Sequence, residues 1–503
     1  MPVKIDNYVI GVDMGTQGVR CLAVTADGTV LARAALSLPA ESLALATGTD
    51  GVSEQNAEDW WNITFNALGQ LAADLAVAGI PPEAGSALCI SGTSGTFVPL
   101  DAAHRPLRPA IMYSDGRATE EAARCNAALV TLCEEAGYRF NTSFALPRLL
   151  WLARHETATI ARTALIAHQA DYLAGQLTGI WGISDYHNVL KTGYDLLAER
   201  YPPEIASELH LSPALFPRVV APATPIGSLR ADLAKALKLN PHLLVVAGTT
   251  DGCASQFAAG ASAPGEWVSS LGTTLTIKGV SNTLIKDPQG RVYCHRHPEQ
   301  GWLPGGASNS GGEILLRRFA GADLAAYDNR TASLAPTSLL CYPLVRHGER
   351  FPFVAPDAEG FLLDPQDQAR GQLDLSYVAA LEGVALLERL AYEVVSNLGA
   401  PLHGPIRTVG GAARSRLWLR IRASVCNRPF VVPAIADPAM GAAMLAASGR
   451  CHASLQSAIH SMVHHTIEIE PEAQWTAIYE ERYAWFKEEL QKRRYLSTRN
   501  NRD

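Results

Sequence analysis

One pattern, a strand followed by a Gly-Thr turn and a return strand, occurs twice in this 503-residue chain. The first copy runs from Tyr8-Val9-Ile10-Gly11-Val12-Asp13 through Gly15-Thr16 into residues 19–24. The second runs from 266–271 through Gly272-Thr273 into 275–278. Short apolar runs bounded by glycine turn chemistry read as buried strands joined in a hairpin. Repetition of one plan within a chain implies two units of similar architecture. Each copy opens about half of the chain, and at about 150 residues per domain two to four domains are expected. The reading places an N-terminal lobe over 1–245, a C-terminal lobe over 246–492 and a flexible polar tail over 493–503.

Composition removes several classes. Hydrophobic residues make up 48% and charged residues 18%, too apolar for a disordered chain. Lys plus Arg number 42 against 49 Asp plus Glu, a net charge of -7 with no basic stripe. That balance argues against a nucleic-acid or membrane-surface binder. Nine scattered cysteines with no Cys-x-x-Cys pair read as reduced and cytoplasmic. No apolar run reaches the ~18 residues of a membrane span without Gly, Pro or charge. The first residues lack the apolar stretch of a signal peptide. A soluble, cytoplasmic, multi-domain enzyme is expected.

Between the two hairpins, a helix is expected from Asn56 to about Ala78, ended by Pro81-Pro82, and then a strand at 88–90. Residues 117–215 read as mostly helical. A strand at 243–247 leads into a small-residue helix over 253–259. Tyr479, Tyr483, Phe486 and Leu490 share one face of a final helix.

Five segments place glycines after a strand. In Gly11-Val12-Asp13-Met14-Gly15-Thr16, a strand-end carboxylate can hold hydrated Mg²⁺, and Gly15 with the Thr16 hydroxyl can approach a phosphate. An Asp/Gly hairpin turn is the plainer alternative. In Gly248-Thr249-Thr250-Asp251-Gly252, Asp251 sits where a strand gives way to a helix. The helix dipole keeps such a carboxylate ionised and able to accept a proton, unless Asp251 is an ordinary N-cap. The third segment is Ser270-Leu271-Gly272-Thr273-Thr274. The fourth is Gly305-Gly306-Ala307-Ser308-Asn309-Ser310-Gly311-Gly312, ahead of a helix over 313–319 whose N-terminus would suit an anion. The fifth, Val409-Gly410-Gly411-Ala412-Ala413-Arg414-Ser415-Arg416-Leu417-Trp418, has small residues that let a flat ring lie on the backbone. Together the five point to nucleotide phosphates. No Gly-Lys pair exists for a P-loop, and Gly11, Gly15 and Gly18 are wrongly spaced for a dinucleotide fingerprint.

On these segments, in this order and over roughly residues 8–490, the chain resembles the FGGY carbohydrate kinase family. The resemblance implies an α/β protein of two actin-like (ribonuclease H-like) lobes with an interlobe active-site cleft. It implies ATP and Mg²⁺ as cofactors and a small-molecule sugar as partner, with no nucleic acid and no membrane, and it allows a homodimer. Asp251 would be the catalytic base, and Asp13 would hold Mg²⁺ and sugar. Thr16, Gly272 and Thr273 would contact phosphates. Gly311 and Gly312 would approach the α-phosphate and ribose, while Gly411, Ala412, Ser415 and Trp418 would line the adenine slot. Ser94 and Ser91 would contact sugar. Asp13 and Asp251 lie so far apart in sequence that they are expected to meet only across two lobes.

Within the family, four segments resemble a D-ribulose kinase subgroup: residues 91–96, Ser184-Asp185-Tyr186-His187-Asn188, residues 306–312, and Arg346-His347-Gly348-Glu349-Arg350-Phe351-Pro352. Thr93-Ser94-Gly95 stands where xylulose kinases carry Met-His-Gly, and Ser91 stands where the ribulose pattern has Asp. D-ribulose is the expected acceptor. Xylulose or another ketose or polyol is the alternative, and a non-metabolic actin-like ATPase is the alternative from another class.

Other signals weigh less. Cys294, His295 and His297 supply too few spaced ligands for zinc. His460, His464 and His465 read as one face of a partly exposed helix. His168 and Asp171 read as structural. Asp115-Gly116-Arg117 reads either as a border of the sugar site or as an ion-paired helix start.

Overall fold

The computed structural model describes residues 7–45, 51–365 and 372–496. The chain forms two compact units, each assembled from three segments. The first comprises 1–262, 295–300 and 435–463; the second comprises 263–294, 301–434 and 464–503.

The first unit is built on a six-stranded sheet in the order Pro225–Ser228, Leu244–Thr250, Gly85–Gly92, Tyr8–Met14, Gly18–Val24, Val30–Ser37. The last three strands form the antiparallel meander expected from sequence. Gly85–Gly92 and Leu244–Thr250 run parallel to Tyr8–Met14, while Pro225–Ser228 closes the edge antiparallel. Alternation along Tyr8–Met14 divides its side chains between two faces. Tyr8, Ile10, Val12 and Met14 pack with Trp60, Leu68 and Leu71 of the helix Ala57–Val77. On the opposite face Gly11 meets the helix Pro438–Ala447.

The second unit repeats the plan. Its sheet includes Trp302–Ala307, Leu275–Gly279, Trp267–Leu271, Ile406–Val409, Phe430–Pro433, His465–Ile469 in that order. Trp267–Leu271, Leu275–Gly279 and Trp302–Ala307 form the meander. Ile406–Val409 and Phe430–Pro433 add in parallel, and His465–Ile469 closes antiparallel. The sequence echo is therefore a match of six strands in order and direction. Behind this sheet, Arg422 and Glu388 form a bidentate pair at 2.7 and 2.9 Å with both side chains at 0% exposure. The same guanidinium donates to Thr408 and Ser269. It thereby ties the helices Leu373–Asn397 and Arg416–Cys426 to two neighbouring strands.

Several expectations need correction. The boundary at 245/246 falls inside the Leu244–Thr250 strand, which is hydrogen-bonded between Gly85–Gly92 and Pro225–Ser228. Residues 246–262 and 435–463 thus belong to the first unit, and so do both Asp13 and Asp251. Two short strands, Leu165–His168 and Ile183–Asp185, interrupt the helical stretch after 117. The histidines 460, 464 and 465 share no helix face, because the helix Leu455–Met462 ends first and His465 begins a strand. Residues 493–496, expected in a flexible tail, are packed. Tyr495 stacks on Phe353 at 6.2 Å and accepts the Glu359 amide at 3.0 Å. The remainder of the expected tail, 497–503, lies outside the described residues.

The buried pair gives a prediction. Glu388→Met leaves a buried guanidinium without its counter-charge, a loss of about 3–5 kcal/mol. The double variant with Arg422→Met recovers part of it. Denaturant unfolding of the two single variants and the double variant checks the expectation.

Candidate functional site

At the carboxyl ends of the first unit's parallel strands, Asp13 pairs in register with Ser91, and Ser91 with Thr249. Thr250 follows and caps the helix Asp251–Ala258, its hydroxyl accepting from Cys253 N at 3.4 Å. Asp251 is thus the first helical residue and not the N-cap. Ligands of open α/β sheets bind at such carboxyl edges.

Asp13 is 1% exposed. Its Oδ1 accepts from Ser91 Oγ at 2.8 Å and its Oδ2 from Arg20 at 2.9 Å. Burial, reinforced by Asp251, pushes its carboxyl up to about 6 against the pull of Ser91 and Arg20. Arg20 also faces Asp437 at 3.5 Å, the N-cap of the helix Pro438–Ala447. Two carboxylates thus share one guanidinium, and Asp251 adds its negative charge to the Asp13 environment, an excess that suits a hydrated divalent cation. Among the described residues no three His, Cys, Asp or Glu side chains converge as a metal set. Such a cation would rely mainly on water and phosphate oxygens. Beside this edge, a cavity of about 420 Å³ is lined by residues 15–20 and 35–37, Thr16 among them.

Two assigned sugar contacts part ways. Ser91 is fully buried, with its hydroxyl committed to Asp13, so it acts on that carboxylate and does not face a ligand. The Ser94 hydroxyl is buried with no hydrogen-bond partner, which costs about 1–3 kcal/mol. Gly92 pairs with Thr250, so the 93–96 loop and Asp251 leave neighbouring strand ends. Lys191, 8% exposed, donates to the Ser94 carbonyl at 3.2 Å.

In the second unit, the Gly272-Thr273 turn is exposed. Gly311 and Gly312 lie against it. A Cβ on Gly311 would fall 2.6 Å from Thr274 Cα, and one on Gly312 2.5 Å from the Gly272 carbonyl oxygen. The helix expected to offer an anion site spans only Glu313–Arg318. Its first amides are already spent, Gly312 N on Gly272 O at 2.9 Å and Glu313 N on Thr273 O at 3.0 Å. Gly411 is exposed with open space above its Cα, and Ala412 lies beneath the surface beside it. Ser415 and Trp418 are supports. The Ser415 hydroxyl caps the helix Arg416–Cys426, and Trp418 is 4% exposed with its indole N–H on the Leu381 carbonyl. Only the Trp418 ring edge reaches toward Gly312.

The subgroup segments have concrete places. Glu349, in the 346–352 segment, accepts from Ser308 Oγ, Asn309 N, Ser310 Oγ, Tyr342 Oη and Arg350 N. It therefore shapes the glycine turn of the second unit. In the 184–188 segment, Asp185 accepts the His187 and Asn188 amides, and His187 spans Thr249 Oγ1 and the Arg296 carbonyl at 2.7 Å each. Asp115 accepts Ser53 N and forms an ion pair with Arg117, which also pairs with Glu54. That turn is ion-paired, and the helix begins at Thr119. His168 and Asp171 are structural as expected, the Asp171 carboxylate accepting the His168 amide at 3.1 Å. Cys294 donates to the Ile285 carbonyl, and the His297 ring accepts the amides of Glu299 and Gln300. Sequence reasoning missed Arg20, Asp437 and Lys191, since none lies in a glycine-rich motif, and it named Glu349 within the 346–352 segment without its role.

The N-terminal domain of the FGGY family of carbohydrate kinases matches residues 8–258, and the family's C-terminal domain matches 267–449. The chain belongs to the FGGY family. It is an ATP-dependent sugar kinase, a phosphotransferase acting on a carbohydrate hydroxyl. FGGY relatives include a xylulose kinase of Streptomyces coelicolor, 31% identical over 446 residues with 87% of each chain covered. A Bacillus subtilis xylulose kinase is 26% identical over 490 residues, covering 95% of this chain and 96% of that one. The crystal structure of a Brucella ovis xylulose kinase aligns with a TM-score of 0.88 at 26% identity, covering 98% of this chain and all of the other. These matches carry the ribonuclease H-like, actin-like fold. Among the described residues no helix is long and apolar enough to cross a membrane.

Glu349 supplies a prediction for this FGGY chain. Glu349→Gln sets an NH2 group against donors that now meet a carboxylate, at a cost of about 1–3 kcal/mol. Hydrogen exchange at residues 309–313 is expected to accelerate at least tenfold, with exchange in the first unit's sheet unchanged.

Proposed function

We propose that this kinase phosphorylates an open-chain ketopentose, with D-ribulose the best acceptor. The observation that carries the reading is the unpartnered, buried Ser94 hydroxyl on the loop next to Asp251. A short hydroxyl there, where xylulose kinases carry Met-His-Gly, leaves room for a small ketose and pairs with one of its hydroxyls. D-xylulose is the second reading, favoured by the names of the relatives. The two sugars are epimers, and a site built to pair one hydroxyl rejects the analogue that leaves it unpaired.

In this reading Asp251 takes the proton from the sugar hydroxyl as that oxygen attacks the γ-phosphorus of ATP, and ADP departs. The step calls for positioning and electrostatics and forms no covalent enzyme intermediate. Ser91 and Arg20 hold Asp13 in one orientation. Asp13 would hold a hydrated Mg²⁺ whose remaining contacts are water and phosphate oxygens, and the ion when bound would neutralise phosphate charge. Thr16 and the Gly272-Thr273 turn receive phosphate oxygens, Gly311 and Gly312 admit the α-phosphate and ribose, and Gly411 and Ala412 form the adenine surface above Ser415 and Trp418. The scattered thiols and the charge balance fit a cytoplasmic setting.

Two predictions test the reading. Asp251→Asn lowers kcat by ~10²-fold or more, as removal of a general base does, with ATP binding measured by calorimetry nearly intact. Turnover within threefold of the parent protein overturns the role of Asp251. In a coupled ADP-release assay, kcat/KM for D-ribulose exceeds that for D-xylulose, L-ribulose, ribitol and sedoheptulose. A higher value for D-xylulose replaces the first reading with the second.

A further inference from the structure

The loop Thr93-Ser94-Gly95-Thr96 gives three consecutive carbonyl oxygens to basic side chains. Lys191 Nζ donates to Ser94 O at 3.2 Å, Arg148 Nη2 to Gly95 O at 2.9 Å and His168 Nδ1 to Thr96 O at 3.1 Å. At the start of the loop, Gln169 Oε1 accepts both the amide and the hydroxyl of Thr93. Arg148, His168 and Gln169 are each at most 1% exposed.

Arg148 reaches furthest. Its Nε donates to Phe144 O at 3.1 Å, Nη2 also to Ser143 O at 2.9 Å, and Nη1 to Met112 O. One guanidinium therefore joins three loops, 93–96, 112–115 and 141–144. Every one of these hydrogen bonds goes to a neutral carbonyl. Burial accordingly pulls the guanidinium down to about 9, with Asp115 opposing the shift. An apolar side chain of similar volume would fill this space without the desolvation cost, so packing alone gives no reason for an arginine here. What the planar fork adds is a fixed geometry among the carbonyls it holds. In the middle of the clamped loop stands Ser94, its Oγ buried and unpartnered. Gly95, at φ +90°, leaves no slack on the other side, since a Cβ there would fall 2.7 Å from the Ser143 carbonyl oxygen.

We propose that Arg148 is a positioning residue for sugar recognition, holding the Ser94 loop against the 112–115 and 141–144 loops so that the Ser94 hydroxyl discriminates between sugar epimers. This rests on the proposed contact of Ser94 with sugar, and the experiment separates the two ideas. Arg148→Lys keeps the charge and loses the fork. It is expected to raise the sugar KM at least tenfold and to narrow the kcat/KM ratio between D-ribulose and D-xylulose at least fivefold, with the ATP KM within twofold. Arg148→Gly regains sugar affinity and selectivity when guanidinium ion is added at millimolar concentration. Gly95→Ala leaves Arg148 in place but pushes the loop off it, and it produces the same sugar-selective change even where the arginine variants fold poorly. A lowered melting temperature with sugar KM and epimer ratio unchanged in Arg148→Lys and Gly95→Ala makes the clamp merely structural and overturns the proposal. Ser94→Ala is the control. If it leaves the sugar KM unchanged, the Ser94 contact falls and takes the proposal with it. If it raises the sugar KM while Arg148→Lys does not, only the positioning role falls.

Discussion

Gly11 and Gly441 allow backbone to touch backbone at the centre of the first unit. A side-chain carbon on Gly11 would lie 1.8 Å from the Ala439 carbonyl oxygen, and one on Gly441 1.9 Å from that of Ala254. No side chain fits at either point. The strand Tyr8–Met14, the helix Pro438–Ala447 and the helix Asp251–Ala258 therefore pack in direct contact. Each of these elements delivers a carboxylate at its end: Asp13 closing the strand, Asp437 capping one helix and Asp251 opening the other. Arg20, paired with Asp13 and facing Asp437, takes its place from this stack. The raised proton affinity of Asp13 is the electrostatic consequence of the same crowding.

Periodicity and turn chemistry made most of the sheet legible. The meander strands and the Ala57–Val77 helix are local features whose apolar spacing and Asn56 cap are written in consecutive residues. Segment return is not local. Nothing in 435–463 announces that this stretch rejoins a unit begun at residue 8, because the deciding signal is a pair of glycines more than 400 positions apart in sequence. The same blindness put the boundary inside Leu244–Thr250. A strand leading into a new glycine turn looks like a beginning, whereas its hydrogen bonds make it the close of the first sheet.

For the site, motif reading located residues and misjudged some of their work. Asp13, Asp251, Thr16, Gly272, Thr273 and Gly411 stand at strand ends or exposed turns, where glycine and small hydroxyl residues advertise themselves, whereas Gly311, Gly312 and Ala412 are packed beneath such turns. Ser91, Ser415 and Trp418 belong to the same motifs, yet Ser91 serves Asp13, Ser415 serves a helix and Trp418 serves a core. A motif records which residues occur together and not which of them faces the ligand. Arg148 went unread, and Glu349 was named without its role, for the opposite reason. Each acts by gathering hydrogen bonds from several loops, and such convergence has no spacing in the sequence.

The three-piece construction of the first unit also orders events during synthesis. Leu244–Thr250 can join its sheet early, yet the helix that sets Asp437 beside Arg20 emerges roughly 200 residues later, about 10–40 s at ordinary translation rates. Throughout that interval the outer face of Tyr8–Met14, with Gly11 at its middle, lacks its cover. The nascent first unit is then an incomplete body with an apolar, backbone-exposed seam, the kind of surface that holding chaperones recognise. Completion of the first unit therefore waits for a helix encoded far downstream of the sheet it covers.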